Sequence, residues 1–236
     1  MPINFILLLF FYQFLGATCK KLILKICCGQ INSQTVNTNM LIGLMGTMGS
    51  GKSTCANYLI NQYHFVEKTF ADPLKKACKI IFLLDDQQIY GTQQQKEASD
   101  PRWFGCSSRT MLQFVGTDLF RQQLHKIMPE LGENIFIRHF ELWYQQIIIE
   151  NPDIKIVISD IRFQNELDIV KKMGGTVIKI VRNLDDRTPF ESSKHCSEAN
   201  QVNVIGYDYV IENNESIDKL HEILDQILKK ICLKHS

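Results

Sequence analysis

The sequence predicts an α/β protein, a mostly parallel sheet with helices on both faces. Three observations carry that prediction. From Met40 onward, short apolar runs alternate with helix-like segments, the pattern of a sheet wound with crossover helices. Two of the runs, IKIVIS at 154–159 and TVIKIV at 176–181, are rich in β-branched residues, as strands covered on both faces are. The first run, LIGLM at 41–45, passes through a glycine-rich turn straight into an amphipathic segment.

Taken in order, the strand candidates are 41–45, FVEKTF at 65–70, 154–159, 176–181 and YDYVIE at 207–212. Helices fill the gaps. Ser53 to Asn61 follows the glycine-rich turn, and DPLKKACKIIFLL starts with Asp72 as N-cap and Pro73 at the first helical position. SSRTMLQFVGTDLFRQQLHKI and NIFIRHFELWYQQIIIE read as longer helices, and NELDIVKKMGG closes on a glycine pair that suits a helix end. Over Ser216 to Ile231, the residues Ile217, Leu220, Ile223, Leu224, Ile227, Leu228 and Ile231 recur at helical spacing and form a core stripe. The polar stretch 182–206 has neither period and contains Pro189, so it is expected to be a long functional loop.

With 236 residues, 45% of them hydrophobic and 22% charged, the chain can bury one sizeable core. A formal net charge of +1 supplies no global field for a nucleic-acid or membrane partner. The charge is uneven, however, because no Asp or Glu precedes Glu67, whereas Lys20, Lys21, Lys25 and Lys52 do. Eight cysteines, at 19, 27, 28, 55, 78, 106, 196 and 232, include no C-x-x-C pair and no zinc-like spacing, which points to reduced thiols in a cytosol-like compartment. Cys55, Cys78 and Cys232 fall on apolar helical faces and read as small buried hydrophobes.

Residues 1–39 form an apolar and then polar N-terminal extension, and 40–236 the α/β domain. The apolar run is roughly 15 residues broken by Gln13, short of the about 20 that span a bilayer comfortably, and its lysines follow rather than precede it. An anchor with cytosolic lysines, a removable targeting segment and a dispensable upstream extension all remain open. The last is favoured because Met40 stands immediately before the first core strand.

The motif that carries chemistry is Gly46-Thr-Met-Gly-Ser-Gly51-Lys52-Ser53, which fits G-x-x-x-x-G-K-[ST] between a strand and a helix. Gly46, Gly49 and Gly51 let successive N–H groups turn inward, and the helix that begins near Ser53 and Thr54 adds its positive end, so with Ser50 they form a nest for phosphate. Lys52 supplies a mobile charge to the β and γ phosphates of ATP, and the Ser53 hydroxyl is placed to ligand Mg²⁺. This makes the fold a P-loop NTPase three-layer sandwich: a five-stranded parallel sheet, helices on both faces and a lid loop. An N-K-x-D guanine-reading motif is missing, which excludes a GTPase switch. The strand IKIVISDIRF ends on a lone Asp160 rather than adjacent acids, unlike a motor or helicase. Asp160 is read as a Mg²⁺ ligand or a strand-end cap.

Further cations lie near the predicted carboxyl ends of the strands, where open α/β sheets bind ligands: Lys75, Arg109, Arg121, Arg162, Arg182 and Arg187. They fit an acceptor that is itself a phosphate. A monoester is already mostly a dianion near pH 7, so the site must hold two anions at attacking distance rather than remove a proton. Arginine forks suit that task.

The ordered set GSGKST, FADPLKKA, SSRTMLQFVGTDLFR, VISDIRFQNELDIVKKMGG and HCSEAN, spanning about Met40 to Ile231, resembles the P-loop deoxynucleoside monophosphate kinases of large DNA viruses and phages, within the adenylate-kinase-like superfamily. The resemblance implies transfer of the γ-phosphoryl of ATP, with Mg²⁺, to a deoxynucleoside monophosphate (dNMP). It further implies that Lys75, Arg109, Arg162 and Glu166 surround that monophosphate and its base, with Arg121 nearby, and that Ser197 and Glu198 close over it. Arg187, with Arg182, is expected to neutralise the transferred phosphoryl from the lid. Lys52, Arg109 and Arg162 are the expected catalytic groups.

Where the family often carries a Trp, this chain has Phe136, whose ring could still stack on a base. Arg162 and Glu166, four apart, could instead be an ion pair, and Asp72 could orient Lys75. His195 is expected to serve the lid, and Trp103 and Trp143 to pack. Dephospho-CoA kinases and phosphomevalonate kinases are the rival small-molecule kinases, and a nucleotide-binding module without turnover is the rival from another class. The expected partner is a small molecule and not a stable nucleic-acid complex. A cytoplasmic location, in the host if the source is a virus, is expected, while membrane tethering through residues 1–39 and a homodimer stay open.

Overall fold

The computed structural model describes residues 40–182 and 204–235. Residues 1–39 and the segment 183–203, which holds Arg187, His195, Ser197 and Glu198, lie outside the described residues.

Along the chain, strand β1 (Met40–Met45) runs through the glycine loop into α1 (Lys52–Tyr63), and β2 (Val66–Lys68) into α2 (Asp72–Ile81). Two short helices, α3 (Asp86–Tyr90) and α4 (Gln93–Glu97), and a 3-10 turn at Pro101–Trp103 precede α5 (Ser108–Gln113), which continues into a π-helical segment, Phe114–Arg121. Two more 3-10 turns lead to α6 (Ile135–Glu150), β3 (Lys155–Ile161), α7 (Gln164–Lys172) and β4 (Thr176–Val181). Beyond the undescribed segment come β5 (Tyr209–Glu212) and α8 (Ile217–His235).

The five strands are all parallel, in the order β2-β3-β1-β4-β5. β1 is central, with Leu41 opposite Ile156 on one side and Ile42 opposite Thr176 on the other. Alternation along the strands sends Leu41, Met45, Ile156, Ile158 and Val177 into one core, covered by α2, α6 and α7. Ile42, Leu44, Val157, Ile178 and Ile180 enter the other, covered by α1 and α8. Each fully buried aliphatic side chain contributes on the order of 1.5–3 kcal/mol. Gly43 belongs to the first face: a Cβ there would sit 2.3 Å from Ile161 Cδ1 and 3.4 Å from Val170 Cγ1, so its missing side chain lets α7 close over the sheet centre.

Five local expectations are corrected. The second strand is only Val66–Lys68 because Phe65 and Phe70, each 3% exposed, turn into the cores and the Phe70 amide leaves the ladder for Asp160. The N-cap of α2 is Ala71 and not Asp72, since Asp160 also holds the Ala71 amide; Asp72 is the first helical residue and pairs with Lys76 at 2.8 Å rather than with Lys75. The long helix expected over 107–127 changes register at Phe114. Gly116 sits where a Cβ would come 2.6 Å from Leu74 Cδ2, so the wide turn and the missing side chain let α2 approach. Ile217 is exposed at the start of α8, although Leu220, Leu224, Ile227, Leu228 and Ile231 are buried as the stripe requires. Cys232 is exposed because it falls one residue past Ile231, off the buried face, whereas Cys55 and Cys78 are buried.

Trp103 and Trp143 pack. The Trp103 indole donates to the Phe82 carbonyl at 2.8 Å and meets the Phe82 ring edge-on, and Trp143 lies against Phe140. Among the described residues, no helix is long and apolar enough to cross a membrane.

Candidate active site

The loop after β1 owes its shape to glycine at three left-handed positions: Gly46 at φ 148°, Gly49 at 78° and Gly51 at 108°. A Cβ at Gly46 would lie 2.3 Å from the Ile180 carbonyl oxygen, and one at Gly51 2.4 Å from Asn213 Nδ2, so β4 and the end of β5 press on the loop from behind. Asn213 Nδ2 donates to the Ser50 carbonyl at 2.8 Å and fixes the loop from that side. Lys52 Nζ donates to the Gly46 and Thr47 carbonyls at 2.6 and 2.7 Å, arched over the loop.

Two observations fit this loop to polyphosphate. No side chain caps the N-terminus of α1, so its first-turn amides face the loop with the helix dipole behind them. Ser50 is 1% exposed, and its hydroxyl is a buried polar atom without a hydrogen-bond partner. An anion in the nest satisfies the first-turn amides.

Two cavities meet at this loop, and Lys52 and Ser53 line both. One, of about 370 Å³, runs past Gly49, Gly51 and Thr54 to Arg182, Asn213, Glu215 and Ile217. The other, of about 390 Å³, is floored by Asp160 and Glu166 and walled by Lys75, Lys96, Arg109 and Arg162, with Leu112, Gln113, Gly116 and Thr117 contributed by α5 and the π-helical segment. The wider helical turn is therefore part of this wall. Arg109 pairs with Glu97 at 3.2 Å.

Beneath the second cavity lies a buried polar unit. Glu166 Oε1 accepts from Arg121 Nη2 at 2.7 Å; Oε2 accepts from the backbone amides of Arg162 at 2.8 Å and Phe163 at 3.2 Å. The Arg121 guanidinium is also covered by the rings of Phe163 at 4.2 Å and Phe136 at 5.1 Å. Burial pushes the Glu166 carboxyl up to about 7, with the neighbouring Asp160 charge adding and Arg121 opposing. Asp160 is also raised by burial, against the pull of the Phe70 and Ala71 amides at 2.9 and 3.0 Å.

Of the residues singled out from the sequence, the structure gathers Gly49, Gly51, Lys52, Ser53 and Thr54 around the first cavity, and Lys75, Arg109, Arg121, Arg162, Glu166 and Asp160 around the second. Several placements differ from expectation. Arg162 and Glu166 do not pair through side chains; Glu166 pairs with Arg121, and Arg162 reaches it through its amide. Arg121 is 8% exposed and committed to that pair. Phe136 is 5% exposed, with Arg121 across its ring, so that face is covered by a guanidinium. Asp160 acts as the cap between β3 and the start of α2. Arg182 lines the first cavity, while Arg187, His195, Ser197 and Glu198 fall outside the described residues.

Sequence reasoning missed Lys96, Gln113, Thr117, Asn213 and Glu215. Asn213 carried a weak signal as the first residue beyond a strand, the position where ligands gather. Lys96 carried none, because 85–106 shows neither helical nor strand period.

A sequence model of the family described as deoxynucleotide monophosphate kinase matches residues 92–224. A protein of Acanthamoeba polyphaga mimivirus named "Putative deoxynucleotide monophosphate kinase" is 55% identical over 183 residues, covering 77% of this chain and 92% of its own. The deoxynucleoside-5'-monophosphate kinase of Escherichia phage T5 is 27% identical over 192 residues, covering 57% of this chain and 72% of its own. Among solved structures, the dephospho-CoA kinase of Campylobacter jejuni superposes with a TM-score of 0.42 at 15% identity, covering 82% of this chain and 98% of that one. The glycine loop opening between two cavities, one of them strongly basic, together with the family match over more than half the sequence, shows that the chain belongs to the deoxynucleotide monophosphate kinase family.

Proposed function

We propose that ATP lies with its triphosphate in the Gly46–Ser53 loop and its nucleoside in the cavity beside Asn213 and Ile217, while the dNMP occupies the cavity walled by Lys75, Arg109 and Arg162. Membership of the family makes the chain an ATP-dependent phosphotransferase acting on deoxynucleoside monophosphates, and favours this activity over the phosphomevalonate and dephospho-CoA alternatives. The observation that supports the two placements is that Lys52 and Ser53 line both cavities, so the γ phosphate of a nucleotide in one meets an anion in the other.

The chemistry then asks little of acid–base groups. The acceptor monoester, with a second pKa of about 6, is already a nucleophile near neutrality. Its oxygen attacks the γ phosphorus as the bond to the β-bridging oxygen breaks, and ADP leaves with that electron pair. Lys52 follows the transferring group by exchanging the loop carbonyls for phosphate oxygens. Arg109 and Arg162 hold the acceptor dianion against the repulsion of the triphosphate. Asp160, whose oxygens already accept two amides, shapes the floor and is not a general base.

The Ser53 hydroxyl and Asp160 would hold Mg²⁺. Ser53 and Asp160 both line the acceptor cavity, and their oxygens are donors of the kind Mg²⁺ takes. When bound, the ion neutralises charge on the β and γ oxygens.

A coupled ADP-release assay over dTMP, dGMP, dCMP, dAMP and 5-phosphomevalonate tests the reading. Turnover is expected with one or more dNMPs and lost in Lys52→Ala; turnover with the mevalonate ester alone would overturn it.

A further inference from the structure

We infer that Lys96, a further cation of the basic cavity, is a ligand of the acceptor phosphate and sets the affinity for the dNMP. This assignment rests on the placement of the acceptor proposed above and extends it to a residue that carries no local signal.

α4 is held at both ends. Its N-terminus carries a reciprocal cap, with Gln95 N donating to Thr92 Oγ1 and the Thr92 amide donating to Gln95 Oε1. At its other end the buried Ser108 hydroxyl bridges the Gln88 carbonyl at 2.6 Å and the Lys96 carbonyl at 3.1 Å, tying α3 and α4 to the first turn of α5. The backbone of Lys96 is thus anchored through its own carbonyl, and its side chain is not needed to hold the helix. That side chain lines the basic cavity with Lys75, Arg109 and Arg162.

Asp160 offsets Lys75 and Arg162, and Glu97 offsets Arg109, whereas the charges acting on Lys96 are those of Lys75, Arg109 and Arg162, so an anion in the cavity relieves Lys96 most. Burial lowers its ammonium below the ordinary lysine range, and Lys75, Arg109 and Arg162 push it in the same direction. A bound dianion reverses that repulsion. Lys96 stands beside Arg109, whose partner Glu97 is the next residue of the same short helix, so α4 delivers one cation directly and steadies another. The ammonium is a flexible point donor and the guanidinium a planar fork; together they can contact a phosphate group from different sides.

The test compares the full chain with Lys96→Met and Lys96→Arg by equilibrium titration with the preferred dNMP and by steady-state kinetics. Lys96→Met is expected to weaken dNMP binding and raise KM for the dNMP about tenfold or more, the scale of a lost charge-assisted hydrogen bond, with KM for ATP within about twofold of wild type. Lys96→Arg should recover most of that loss, and thermal unfolding of both variants should match wild type. Unchanged dNMP affinity and KM in a folded Lys96→Met would overturn the role of Lys96 while leaving the acceptor site intact. A wild-type chain that binds no dNMP, with Lys96→Met indistinguishable from it, would overturn the acceptor site and the role of Lys96 together.

Discussion

The carboxylate of Glu166 holds the guanidinium of Arg121 at 2.7 Å while it accepts the backbone amides of Arg162 and Phe163 with its other oxygen. One side chain thereby joins the end of the π-helical segment, the exit from β3 and the first turn of α7. Arg162 enters the basic cavity from a backbone that Glu166 has fixed. Removing one partner of a buried pair leaves the other charge without compensation, at a cost of about 3–5 kcal/mol. Glu166→Ala should therefore lower the unfolding free energy by that order in urea titration, and Arg121→Ala should do so comparably. The double variant should lose less than the sum of the two.

The same carboxyl predicts a pH effect. Its folded value of about 7 lies above its ordinary 4.5, so between those values the native state binds more protons than the unfolded state. Its contribution to stability is complete below about 4.5 and is lost as pH rises through 7. Relative to Glu166→Gln, which cannot titrate, the wild type should lose unfolding free energy between pH 4.5 and 7 in parallel denaturant titrations. A difference that stays flat, or grows with pH, would contradict the burial-driven shift.

Asn213 tests how the phosphate loop is held. Its amide donates to the Ser50 carbonyl and leaves no room for a Cβ on Gly51. Asn213→Ala should raise KM for ATP roughly tenfold with a smaller change in KM for the dNMP, since one loop carbonyl loses its donor. Gly51→Ala should stay impaired, by roughly tenfold in ATP turnover, even in the Asn213→Ala background. Clearing the neighbour does not remove the positive φ of 108°, which costs a non-glycine residue about 1–2 kcal/mol. Recovery of ATP turnover in that double variant would show that crowding, and not backbone conformation, requires the glycine.

Gly116 and Leu74 should be coupled. A methyl at 116 meets Leu74 Cδ2 at 2.6 Å, so this side-chain end, which lines the cavity with Gly116, has to shift to admit it. Gly116→Ala is expected to destabilise by about 1–3 kcal/mol and to raise KM for the dNMP, and Leu74→Ala should partly offset both. A double-mutant cycle of unfolding free energies and KM values with no interaction term would rule the contact out.

Thiol labelling gives an independent check on the cores. Burial pushes the Cys55 thiol up to about 12 and Cys78 to about 11. Iodoacetamide at pH 8 should modify the exposed Cys232 and the half-buried Cys106 in the native state, with Cys55 and Cys78 reacting only after denaturation, as read by peptide mass spectrometry.

By itself the sequence determined the class of fold, all five strands to within a few residues, the phosphate loop and the buried stripe of α8. These are repeating or local features: alternation along a strand, helical period, and a glycine-lysine signature at fixed spacing. It also named most of the cations of the basic cavity, Lys75 and Arg162 because they come soon after strand ends, where parallel sheets bind ligands, and Arg109 through the family resemblance. Only the tertiary structure decided which of them meets which acid. The pairing of Glu166 with Arg121, 45 residues away in sequence, the capping of α2 by Asp160 and the arrival of Lys96 beside Arg109 depend on elements brought together across the sheet. The change of register at Phe114 belongs there too, because it accompanies the close approach of Leu74 to Gly116, a meeting of α2 and the π-helical segment that no local pattern of residues records.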